Sequence, residues 1–123
     1  MTLPSIDDTD FAAQAERRSD VLLATLSGNA DLNARLALER FLASVHEETD
    51  EQELRKVVVD LRQLAFMSSS CLKCLVVWMT RIQALPPTRR YRVTFLSSPD
   101  RYWQGRSLRA ISSLAPEIVT IES

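Results

Sequence analysis

Three consecutive hydroxyls, Ser68, Ser69 and Ser70, are the residues of this chain best placed for chemistry. They lie between a run that reads as a strand, Val57 to Asp60 continuing through Leu61 to Phe66, and a run that reads as a helix. The helix is expected from near Ser70, with Leu72, Leu75, Val76, Met79 and Ile82 at three- and four-residue spacing, and must stop before Pro86-Pro87. A serine at such a junction has two uses. Its oxygen can cap the helix, and Ser70 is the expected cap. The same hydroxyl can accept a phosphate, because unpaired N–H groups and the helix dipole favour negative charge there. With only 2 glycines the chain has no glycine-rich phosphate loop, so the pattern points to a switch and not to an enzyme.

Other reactive groups offer less. Cys71 and Cys74 form a C-x-x-C spacing, yet no second pair or histidine cluster completes a zinc site. Buried helix thiols are the plain reading and a redox pair the alternative. His46, the only histidine, sits late in an amphipathic stretch, and no Ser-His-Asp set assembles around it. Neither a metal nor a cofactor is expected. Asp60 and Arg62 bracket the end of the central strand as polar ends or a surface ion pair. The arginines at 101, 106 and 109, and the run Arg89, Arg90 and Arg92, read as solvated surface or as a seat for an acidic partner. Trp103 is core or helix cover if buried and a partner anchor if exposed.

The elements that must position these groups follow from periodicity. The 123 residues suffice for one domain, with 46% hydrophobic content and a formal net charge of -1 that asks for no nucleic acid. Residues 1–60 carry 13 acidic and 6 basic side chains, and residues 61–123 carry 3 and 9, a hint of two oppositely charged faces. The opening MTLPSIDDTD is polar and unlike a secretory leader. The run Cys71 to Met79 contains Lys73 and is too short to span a bilayer, so a cytoplasmic protein without membrane contact is expected.

Residues 1–15 are expected as a tail or edge strand and 16–123 as the domain. Phe11 to Ala15 is expected to pair with a strand over Val21 to Leu26, bounded by the turn signal Gly28-Asn29. Asp31 caps a helix to about Glu47 with the stripe Ala34, Leu38, Phe41, Leu42 and Val45. Lys56 to Leu61 reads as a central strand covered on both faces. Tyr91 to Leu96 is a strand, and Arg101 to Leu114 is a helix with Trp103, Ser107, Ala110, Ile111 and Leu114 on one face. Glu117 to Ile121 is a closing strand. Helices alternating with strands predict a single α/β domain with a mostly parallel or mixed sheet.

Three segments resemble the STAS family, the sulfate-transporter and anti-sigma-factor-antagonist domains. Gly28-Asn29-Ala30-Asp31 is similar to its G-x-x-D turn. Val57-Val58-Val59-Asp60-Leu61 is similar to its hydrophobic strand ending in Asp-Leu. Phe66-Met67-Ser68-Ser69-Ser70-Cys71-Leu72 is similar to its F-M/I-D-S-S/T-G-L signature, with Ser68 in place of the acidic residue and Cys71 in place of glycine. The likeness runs from about Val21 to Ile121. It lacks the family's helix after the last strand, leaving a sheet face to the N-terminal segment or a second copy, as in a homodimer.

What the resemblance implies is a protein-binding regulator of partner switching. Ser70 is the implied phosphoacceptor, with Ser69 and Ser68 less favoured. A histidine-kinase-like ATPase is the implied partner and a serine phosphatase the resetting enzyme. Asp31, Ser68, Ser69 and Cys71 fall on the implied partner surface, to which an exposed Trp103 would add. A scaffold subunit that ignores phosphorylation is the alternative.

Overall fold

The computed structural model describes residues 4–7 and 10–123; the expected tail at 1–3 lies outside the described residues. In chain order the elements are β1 (Ser5–Asp7), β2 (Phe11–Arg18), β3 (Val21–Ala30), a 3-10 turn (Leu32–Ala34), α1 (Arg35–Glu51), β4 (Lys56–Met67), α2 (Ser69–Gln83), β5 (Arg92–Leu96), α3 (Tyr102–Leu114) and β6 (Val119–Glu122). The six strands form one sheet in sequence order. β1, β2 and β3 pair antiparallel, and β3 through β6 pair parallel, so the sheet is mixed and the domain is α/β.

This order dictates where the helices go. Each parallel step from β3 to β6 moves the same way across the sheet, and right-handed crossovers then place every connecting helix on the same side. Burial follows that geometry. Leu22, Ala24, Leu26, Val57, Val59, Leu61, Val93 and Phe95 are buried, while the alternating residues Val21, Leu23, Thr25, Val58 and Asp60 are only partly covered. Thr94, flanked by strands on both sides, is the buried exception. The expectation of a central strand covered on both faces is therefore corrected: a β-branched run can be buried on one face and half-shielded by its own sheet on the other.

Other boundaries also move. β3 continues through the expected Gly28-Asn29 turn as far as Ala30. Gly28 has φ +89°, and a Cβ there would lie 2.2 Å from the Asp10 carbonyl oxygen. That carbonyl accepts the Asn29 N–H at 2.7 Å, and the β3–β4 register shifts at this point. The glycine thus marks an irregularity inside a strand, not its end. α1 runs on to Glu51, past Glu47, and buries its predicted stripe together with His46 and Thr49. On α3 the buried residues are Gln104, Leu108 and Ile111, while Ala110 and Leu114 are exposed, so the predicted face is rotated.

The reason is the polar Gln104. β4 is 12 residues long, but β5 reaches only Lys56 to Asp60 of it. Beyond that, β4 carbonyls need other donors. The Gln104 amide donates to Leu61 O at 2.7 Å and Leu64 O at 3.2 Å, and the Trp103 indole donates to Ala65 O at 2.9 Å. The Arg89–Arg90 run also serves the backbone. Arg89 donates to Asp50 O at 2.8 Å at the end of α1, and Arg90 to Gln83 O at 2.9 Å and Leu85 O at 3.0 Å at the end of α2.

Candidate functional site

The carboxyl ends of β3 and β4 lie side by side, with Ala30 opposite Met67, and each feeds a helical turn. Ser68 N–H donates to Ala30 O at 2.8 Å, which fixes where α2 begins. Ser68, not Ser70, is the N-cap: its Oγ accepts the Cys71 N–H at 3.2 Å, and α2 starts at Ser69. The strand pairing decides between three chemically equal serines, and it selects the first.

Asp31 does the matching job one strand over. Its Oδ1 accepts the Asn33 N–H at 2.9 Å and so caps the 3-10 turn that leads into α1. The Cys71 thiol donates to Asp31 O at 3.2 Å and ties the two turns together. Asp31, Ser68, Ser69, Ser70 and Cys71 are thus brought to one corner. Cys71 is fully buried beneath it; Ser68 and Ser70 are half-buried; Ser69 is exposed.

Several apolar side chains on the elements that begin or end at this edge of the sheet are exposed among the described residues. Leu32 belongs to the capped turn and Leu36 to the start of α1, with exposures of 67% and 51%. Phe66 precedes the cap on β4, and Tyr102 begins α3 at 92% exposure. Trp103, half-buried and held by its Ala65 bond, stands beside Tyr102. Leu32 and Leu36 fall off the Ala34–Leu38–Phe41 stripe, and that offset is the sequence signal for their exposure.

The remaining candidates lie elsewhere. Cys74 is buried one turn along α2, where burial pushes its thiol pKa up, the reverse of what a reactive thiolate needs. Asp60 pairs with Arg62 at 2.8 Å, and those hydrogen bonds hold its carboxyl below the usual range. His46 is buried, with Nδ1 2.7 Å from the Tyr91 hydroxyl, which also accepts the Trp78 indole N–H at 2.7 Å. Among the described residues no group of three or more His, Cys, Asp or Glu could hold a metal ion. No helix among them is long and apolar enough to cross a membrane.

No family model and no curated protein matches the sequence. Solved structures do match. An anti-sigma factor antagonist from Mycobacterium paratuberculosis aligns over 91% of this chain and 85% of its own, with TM-score 0.68 and 17% identity. The Bacillus cell fate determinant SpoIIAA in its phosphorylated form aligns over 90% and 91%, with TM-score 0.60 and 18% identity. The fold is that of anti-sigma-factor antagonists. The STAS-like topology extends over nearly the whole chain, and at such identities the likeness concerns the fold alone.

Proposed function

We propose that this chain is a protein-binding regulator of the partner-switching kind, controlled by phosphorylation of a serine at the α2 N-terminus. The observation that carries this reading is one exposed hydroxyl, Ser69, set at the start of α2, which is tied to the Asp31 turn whose next residue, Leu32, is uncovered. A kinase needs a reachable oxygen. Ser68 is occupied by the cap and Ser70 is half-buried against α1, so Ser69 is the preferred acceptor and Ser70 the second.

Phosphate at Ser69 adds about -1.5 to -2 charges in the first turn of α2. The helix dipole favours that charge by roughly 0.3–1 kcal/mol, so the fold persists and only the surface changes. A partner that covers this end of α2 with low-dielectric surface would then have to desolvate a dianion, and is expelled. The partner is a histidine-kinase-like ATPase, with a serine phosphatase as the resetting activity. Asp31, Ser68 and Cys71 set the shape of the surface, and Trp103 stands at its rim.

The test pairs Ser69→Ala with Ser69→Asp in calorimetric titrations against the kinase encoded nearest to this chain's gene. Ala should retain binding and Asp should lose it, and mass spectrometry after incubation with ATP should place the phosphate on a serine of 68–70. Equal affinity of both variants would replace the switch with a scaffold that ignores phosphorylation.

A further inference from the structure

A groove of about 390 Å3 separates the outer ridges of α1 and α2. That volume falls within the roughly 300–1,000 Å3 of small-molecule clefts. Its walls are residues four apart on facing helices: Arg35, Glu39 and Ala43 on α1, and Lys73, Val77 and Arg81 on α2. The groove opens because Ala43 brings no bulk to the contact. Its floor is apolar, formed by buried Leu42 and Trp78.

The charges in the groove do not cancel. Glu39 is already bonded to Arg35 at 3.1 Å. Lys73 and Arg81 have no ion-pair partner among the described residues. Each stands one helical turn, about 6 Å, from Val77, which is 57% exposed between them. Long stems let both cations lean over that valine while their heads stay at the rim.

We infer that this groove binds a small amphipathic anion. Its apolar body enters past Ala43 and rests on Leu42 and Trp78, and its carboxylate, sulfonate or phosphate stays at the rim between Lys73 and Arg81. A body without the charge leaves both cations unpaired, and an anion without the body leaves the apolar floor in water. Ser70, the second candidate acceptor, also lines the groove; the inference uses neither its hydroxyl nor Ser69, so loss of dye binding and loss of the phosphorylation switch are separable outcomes.

The probe for the test is 1-anilinonaphthalene-8-sulfonate, titrated into the full chain and followed by its fluorescence. Saturable one-site binding is expected, weakening with added salt. Charge reversal in Lys73→Glu/Arg81→Glu, at two exposed positions, should weaken it at least about tenfold. Ala43→Leu should abolish it by filling the entrance. Uncharged N-phenyl-1-naphthylamine should bind the unaltered chain at least about tenfold more weakly. Unchanged circular dichroism and thermal midpoints would keep partial unfolding out of the readout. Equal dye binding by the unaltered and charge-reversed chains would overturn the site, and so would equal affinity for the neutral probe.

Discussion

The two ends of α2 are built on opposite plans. Toward its carboxyl end most polar groups hold the fold: Trp78 donates to Tyr91, Tyr91 meets His46, and Arg90 closes the last carbonyls, with Arg81 the exception. At its amino end one hydroxyl caps, one faces a groove, and the exposed Ser69 side chain makes no hydrogen bond among the described residues. Exposed Leu32 adjoins the amino end through the Asp31 turn, while at the carboxyl end Leu114 is exposed too but lies beside a Gln83 side chain bonded to its carbonyl. Polar atoms that are structurally idle, next to uncovered carbon, mark where a protein is prepared to meet something else.

The contrast can be broken by substitution. Trp78→Ala should cost about 3–5 kcal/mol, because it empties a filled core site. Tyr91→Phe should cost about 1–3 kcal/mol by leaving a buried indole N–H without an acceptor. Ser68→Ala should cost about 1 kcal/mol as a lost cap, and Ser69→Ala should stay within roughly 0.5 kcal/mol. Denaturant unfolding of the four variants gives the order. If Ser69→Ala destabilises as much as Ser68→Ala, the amino end is not idle and the comparison fails.

Protonation sharpens the same comparison, and its effect is expected to be the smallest. An indole can only donate, so the Tyr91 oxygen accepts from Trp78, and its own proton finds an acceptor when His46 Nδ1 carries none. In that arrangement His46 is neutral with its proton on Nε2. Burial, helped by the Arg81 guanidinium and opposed by Asp50 and Glu47, holds its pKa below the ordinary 6.5. The unfolded chain therefore binds the extra proton first, so the His46 contribution is level above pH 6.5 and is lost as pH drops below it. Tyr91 is pushed the other way by burial, above its ordinary 10.0, so stability also falls as pH rises past 10. Urea midpoints between pH 7 and 5 should decline for the unaltered chain and flatten for His46→Gln.

Much of this was legible in the sequence. The α1 stripe survives because Leu38, Phe41, Leu42 and Val45 carry a clean helical period that only burial explains. The parallel order follows from helices placed between β-branched runs. What stayed hidden depends on contacts between distant residues. No spacing announces that His46, Trp78 and Tyr91 meet, and three identical serines give no local reason for the first to cap. Gln104 misled the reading of α3 because a polar residue was buried to serve a strand edge.

One dimension of β4 has a mechanical consequence. Its last seven residues, Leu61 to Met67, outrun β5 and are flanked by a full strand on one side only, with two side-chain anchors from α3 on the other. The corner bearing Ser69 is therefore a cantilever of about 20 Å. On the side away from β3, Gln104 and Trp103 supply the side-chain donors to this overhang, so removing either leaves β4 carbonyls there without that partner.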